Sequence, residues 1–134
     1  MKLSIVLTFC DKDYHYINDF LKDIKNKVKI EHEILLVDNR INNKEELPNK
    51  ELYDKVLVFS NKSNFGRHKA VFEVTGDRIW FIDADDEIYE IDESFEEYLG
   101  GEEEYIQFLY LDYKEQFFAN GNCSLWNKWL KTDV

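Results

Sequence analysis

Cysteine is scarce in this chain. There are two, Cys10 and Cys123, in no Cys-x-x-Cys or other paired spacing. That argues against a zinc ribbon and a disulfide framework. Long apolar runs are missing too. Residues 3–10 are apolar, but the run is too short to span a bilayer, and no small-residue cleavage site follows. With no transmembrane segment expected, a reducing cytoplasm is the default location. Repeats and low-complexity linkers are absent. The 134 residues therefore read as one domain, 1–134, long enough to bury a core.

Basic charge is missing from one stretch. Between Asp83 and Glu104 there are twelve acidic residues and no Lys or Arg, while the rest of the chain holds 16 acidic and 17 basic residues. The net charge of −11 is thus a local feature. It argues against a nucleic-acid partner, which needs a basic face. It suits a cation site or a solvated acidic helix, the latter being the plainer account of Glu93 to Glu104. What is present in quantity is apolar: 44% hydrophobic and 16% aromatic residues indicate a folded core.

Strand and helix patterns alternate along the chain. Leu3 to Phe9 reads as a buried strand. Asp11 and Asp13 follow as N-cap candidates. Ile17, Leu21, Ile24 and Val28 recur at helical spacing, which predicts an amphipathic helix from about Tyr14 to Lys27. Glu33 to Val37 is a second strand ending at Asp38, and Asn39 to Asn43 a polar loop. A helical turn is expected around Glu45 and Glu46, before Pro48. Lys55 to Ser60 reads as a third strand, Asn61 to Asn64 as a loop, and Phe65 to Val74 as a helix closed by Gly76. Arg78 to Asp83 is the fourth strand. A helix from Asp92 to Leu99, a fifth strand from Tyr105 to Tyr113, a turn at Gly121-Asn122 and an aromatic segment from Trp126 to Leu130 complete the reading. Such alternation predicts an α/β fold with a mainly parallel central sheet flanked by helices. Right-handed crossovers would bring the loops after Phe9, Val37 and Ile82 to one edge, so that Thr8, Asp38 and Asp83 to Asp86 meet around one crevice.

The fourth strand carries the chemistry. Ile79 to Ile82 form an unbroken apolar run, as in a strand buried on both faces, and the run ends in Asp83, Asp85 and Asp86. Strand alternation would put Asp83 and Asp85 on one face and Asp86 on the other. Two carboxylates so placed can share a hard divalent cation, at the sheet edge where α/β proteins bind ligands. An isolated Asp-x-Asp is more often an acidic turn. An EF-hand does not fit, since position six from Asp83 is Ile88 and position twelve is Ser94.

The flanks of this run are informative. Thr75-Gly76-Asp77-Arg78-Ile79-Trp80-Phe81-Ile82-Asp83-Ala84-Asp85-Asp86 resembles the Thr-Gly-Asp-x-(apolar)-Asp-x-Asp-Asp signature of family 2 glycosyltransferases, which have the Rossmann-like GT-A fold of nucleotide-diphospho-sugar transferases. The resemblance extends over nearly the whole chain, with 1–90 as the nucleotide-binding half and 91–134 as an acidic helix, a further strand and a Trp-rich segment. It implies that Thr8 (in Thr8-Phe9-Cys10) and Asp38 (in Val37-Asp38-Asn39-Arg40) contact the donor's base. It implies that Arg67, at the helix start Gly66-Arg67-His68-Lys69-Ala70, lies near the diphosphate. Asp83 would reach the ribose or a metal, and Asp85 would ligate Mn²⁺ or Mg²⁺. Asn39, Arg40 and His68 depart from the family pattern, which bears on the shape of the base pocket. Trp126-Asn127-Lys128 resembles a Trp-Asn-Lys element of many members, and packing is its plainer role.

The implied activity is transfer of a sugar from a nucleoside diphosphate sugar, UDP-sugar first, to a saccharide, lipid-linked or other acceptor, with inversion. Inverting members carry a carboxylate base further along the chain. Asp112, Glu115 and Asp133 sit in no matching motif, so the pattern names no base. The alternative is a degenerate or partial nucleotide-sugar-binding module that needs a partner chain, a homodimer through its aromatic carboxy-terminal segment being one form of it. A phosphotransferase nucleophile pair at Asp83 and Asp85 is weaker, because such motifs usually open a chain rather than close its fourth strand.

Overall fold

The structure, a computed structural model, describes residues 1–42, 46–59, 65–85, 88, 97, 99, 101, 105–107, 110–112, 117–119 and 128–131. Four parallel strands form its centre: β1 (Leu3–Phe9), β2 (His32–Asp38), β3 (Lys55–Val58) and β4 (Arg78–Asp83). Helix α1 (Ile17–Lys27) connects β1 to β2, and α2 (Phe65–Ala70) lies between β3 and β4. Further on come β5 (Tyr105–Gln107), β6 (Tyr110–Asp112), β7 (Phe117–Ala119) and β8 (Lys128–Lys131). The main sheet runs β3-β2-β1-β4-β8-β5, with β8 antiparallel to both neighbours, while β6 and β7 pair separately.

Burial explains the apolar runs. Ile5 and Leu7 of β1 pack with Ile34 and Leu36 of β2 and with Ile17, Leu21 and Ile24 of α1. Val6 points the other way, against Leu35, Val37, Ala70, Ile79 and Phe81. Both faces are covered, so the inner strands are mostly apolar on both sides, and the polar Ser4 and Glu33 buried there pair with each other.

The Thr75-Gly76-Asp77 turn is fastened to the opposite end of the sheet from the strand ends of interest. The Gly76 N–H donates to Ser4 Oγ (2.8 Å), and the Asp77 N–H donates to the Lys2 carbonyl (2.7 Å). A Cβ on Gly76 would lie 2.5 Å from Ser4 Oγ and 2.8 Å from the Lys2 carbonyl oxygen, so only glycine fits. Beneath the turn, buried Glu33 accepts from the Ser4 hydroxyl and the Thr75 N–H, both at 2.6 Å. Burial alone would raise the Glu33 pKa. The Ser4 and Thr75 hydrogen bonds outweigh it and hold the carboxyl below its ordinary 4.5. A depressed carboxylate stabilises the fold above the unfolded-state value, and that stability is lost as pH falls through the folded-state value. Urea midpoints measured between about pH 3 and 6 should therefore fall more steeply in the native chain than in Glu33→Gln. Equal slopes would remove this role.

Several boundaries differ from the pattern. Residues 11–16 form a 3₁₀ turn, and α1 begins at Ile17 rather than Tyr14. The N-cap position of this turn belongs to Cys10. Asp13 accepts from the Cys10 N–H (3.0 Å), whereas Asp11 accepts from the Ile41 and Asn42 amides. Helix α2 stops at Ala70, because its last turn tightens: the Phe72 N–H donates to Lys69 O and the Glu73 N–H to Ala70 O. The expected strand from Tyr105 to Tyr113 splits, its first half pairing with β8 and its second with β7. A 3₁₀ turn at Lys50–Leu52 follows Pro48. Lys128 to Leu130 of the Trp-containing segment belong to a sheet strand. Part of the turn expected at Glu45, the end of the third strand at Ser60, Gly121-Asn122 and most of the helix after Asp92 fall outside the described residues. Glu97 and Leu99 are helical, and buried Arg78 donates from Nε to Leu99 O (2.6 Å), tying that segment to β4. No helix among the described residues is long and apolar enough to cross a membrane.

Candidate functional site

Strand register places the candidate residues. Thr8 lies opposite Val37 on one side and Asp83 on the other, and Phe9 lies opposite Asp38. The ladder runs one residue further on each side: the Asn39 N–H donates to Phe9 O and the Ala84 N–H to Thr8 O, both at 2.9 Å. These ends surround a cleft of about 530 Å³, a size that suits a small-molecule ligand. Its wall includes Thr8, Asn39, Arg67, Asp83 and Asp85, together with the turn from Cys10 to Asp13. Thr8, Arg67, Asp83 and Asp85 therefore share one cleft, and Asp38 does not line it. The sequence pattern points to Asp13 only as a cap and does not point to Lys12, yet both line the cleft. Asp86 lies outside the described residues.

Opposite charges pair across this cleft. Arg67 reaches Asp83 from the first turns of α2. Gly66 allows that approach: a Cβ there would lie 2.4 Å from Val37 Cγ1 and 3.1 Å from Phe59 Cδ2. Lys12 Nζ stands 3.6 Å from Asp85 Oδ2, both side chains being largely exposed. Burial pushes the Asp83 carboxyl up. Arg67 opposes that rise, while Asp85 and Asp13 add to it. Asp85 itself sits in the turn after β4, so the turn and not strand alternation sets its direction.

Asp38 has a different environment. It is 0% exposed and Arg40 is 1% exposed. Asp38 Oδ1 accepts from Arg40 N and Nε (3.0 Å each), and Oδ2 accepts from a terminal guanidinium nitrogen (2.8 Å). The guanidinium carbon lies 5.3 Å from the Phe9 ring centre and 4.5 Å from that of Tyr14. Asp38's hydrogen bond, the largest influence, holds the Arg40 pKa above its ordinary value despite burial. By contrast, Thr8 Oγ1 and Asn39 Oδ1 are buried without a hydrogen-bond partner among the described residues.

A sheet edge of this kind gives a place for a ligand without naming the chemistry. A family model described as Glycosyl transferase family 2 matches residues 4–120. The chain belongs to glycosyl transferase family 2. A search of curated proteins gives no match. In this family 2 glycosyl transferase domain, the α/β sheet with its four parallel strands is the Rossmann-like GT-A fold, and the function class is that of nucleotide-sugar glycosyl transfer. Enzymes of the family generally use divalent metals.

Asp83 and Asp85 are of the donor type that such ions take. Both are hard oxygen donors on the wall of one cleft. Among the described residues, no group of three or more His, Cys, Asp or Glu could hold a metal by itself. A cation here would need oxygens from a diphosphate and water as well, as Mg²⁺ commonly does at nucleotide sites.

Proposed function

We propose that the chain transfers a sugar from a nucleoside diphosphate sugar, UDP-sugar first, to an acceptor, with inversion and with Mn²⁺ or Mg²⁺ held by Asp83 and Asp85. The observation that carries this reading is the meeting of Arg67, Asp83, Asp85 and Thr8 at the carboxyl edge of parallel strands. When bound, the metal supplies Lewis-acid stabilisation of the leaving diphosphate. Asp85 is the more exposed of the two carboxylates and the easier to turn toward an ion. Asp83 is held between Arg67 and the sheet edge, which suits contact with a ribose hydroxyl or the same ion. Arg67 supplies a planar fork of donors for phosphate oxygens. Lys12 adds a point charge on the same wall. Without these cations, the cleft's carboxylates would repel the donor.

A thermal-shift panel of UDP, GDP, CDP and TDP, each with Mn²⁺, Mg²⁺ or EDTA, tests the reading. Ligand at roughly one hundred times its dissociation constant adds about 2.7 kcal/mol, which raises the midpoint by several degrees. The expected result is a UDP shift with Mn²⁺ that vanishes with EDTA and in Asp85→Ala. A UDP shift that survives in both would remove the metal role, and no shift with any nucleotide would remove the donor site.

A further inference from the structure

We propose that Asn39, and not Asp38, is the side chain that reads the donor's base, because Arg40 has withdrawn Asp38 from the site. The inference rests on the nucleotide-sugar reading and deepens it. Asp38 has no exposed surface, and its carboxylate takes three hydrogen bonds from Arg40. The guanidinium also lies against the rings of Phe9 and Tyr14. A base could reach Asp38 only by displacing a buried cation from its anion and from two aromatic contacts, at a large cost.

The next residue has what Asp38 lacks. Asn39 is 7% exposed and lines the cleft, and its Oδ1 is buried without a partner among the described residues. A buried acceptor left unpaired is costly, so a ligand donor that meets it is favoured. Thr8 Oγ1 is a second unpartnered buried oxygen on the same wall. The two come from adjacent strands, Thr8 being opposite Val37. The Asn39 backbone is fixed by its bond to Phe9 O. Gly66 lies against the same amide: a Cβ there would stand 3.4 Å from Asn39 Oδ1.

The chemistry of an amide then sets the specificity. A carboxylate accepts only, so it favours the N3–H edge of uracil and repels the N3 lone pair of cytosine. A carboxamide accepts and donates. It can take the uracil N3–H and donate to a neighbouring carbonyl, or donate to cytosine N3 and accept from the N4 amino group. Discrimination between UDP and CDP should therefore be weak, and an acid at position 39 should sharpen it.

The test is calorimetric titration of the full chain with UDP, CDP and inorganic pyrophosphate, all with Mn²⁺. UDP and CDP should bind the native chain within about tenfold of each other, since no interaction separates them by more than one hydrogen bond. Asn39→Ala should weaken both nucleotides by about tenfold and leave pyrophosphate, which has no base, within about twofold. Asn39→Asp should raise the ratio of UDP to CDP affinity by about tenfold. Unchanged nucleotide affinity in Asn39→Ala would overturn the proposal. So would an Asn39→Asp variant that keeps the native ratio while Asp38→Asn changes it. Pyrophosphate binding with no added affinity from either nucleotide would overturn the base reader alone. Failure of all three ligands on the native chain would bring down the donor-site reading itself.

Discussion

Asp38→Ala should lower the unfolding free energy by about 3–5 kcal/mol, because it leaves a buried guanidinium without its anion. For a domain of this size, that is a drop in the thermal midpoint on the order of 10–20 °C. The magnitude follows from the burial of both partners. Arg40 is 1% exposed and gives three donors to Asp38. Surface pairs contribute far less, usually under about 1 kcal/mol, so removing Lys12 from beside Asp85 should hardly change stability. The pair itself is a different matter from its halves. Desolvating two charges consumes most of their attraction, so the double variant Asp38→Ala, Arg40→Met should recover much of the loss. The aliphatic part of methionine can still pack between Phe9 and Tyr14. Urea denaturation of the two single variants and the double variant measures the coupling. A loss under about 1 kcal/mol in Asp38→Ala would mean that Arg40 swings into solvent at little cost. The pair would then be too loose to keep a base away from Asp38.

Arg40 also shows where the sequence stops being legible. It falls in a polar loop, where a charged residue ordinarily faces water. Nothing in the local pattern says that its side chain folds back two positions onto Asp38 between two rings. The strands are legible for the opposite reason. Ile79 to Ile82 is apolar on both alternating faces, and Leu3 to Phe9 is apolar at Leu3, Ile5, Leu7 and Phe9 on one face and at Val6 on the other, which fits a covered strand. Parallel pairing of such strands then puts Thr8 opposite Asp83. Alternation fails at the next step, because it holds only while the chain stays extended. Past Asp83 the chain turns, and the turn decides where Asp85 points. The helix after β1 begins late for a related reason: Asp13 binds Cys10 N–H and the Tyr16 hydroxyl, holding a 3₁₀ turn that helical spacing does not reveal. Tyr105 to Tyr113 reads as one strand because its pattern carries no mark of the change of partner from β8 to β7. For the strand the missing information is a contact with a distant segment; for Arg40, Asp85 and Asp13 it is a local side-chain or turn geometry that periodicity does not encode.

Arg67→Ala should weaken Mn²⁺–UDP binding by about one hundredfold, the range expected when one partner of a hydrogen-bonded charge pair is removed at a desolvated site. Two losses combine. The donor's diphosphate loses a fork of N–H groups, and half-buried Asp83 loses a cation that offsets its burial. One gain opposes them, since Arg67 no longer competes with the metal for Asp83. The two effects separate by ligand. Affinity for Mn²⁺ alone should stay level or rise in Arg67→Ala, while affinity for the Mn²⁺–UDP complex falls. Arg67→Lys should recover part of the loss, because lysine restores the charge without the planar fork. Stability should fall less than in Asp38→Ala, since the Arg67 and Asp83 side chains keep 13% and 24% of their surface exposed, against 1% and 0% for Arg40 and Asp38. Calorimetry with Mn²⁺ and with Mn²⁺–UDP reads both arms. If Arg67→Ala binds Mn²⁺–UDP as tightly as the native chain does, Arg67 serves only to neutralise Asp83. The diphosphate would then depend on Lys12 and the metal.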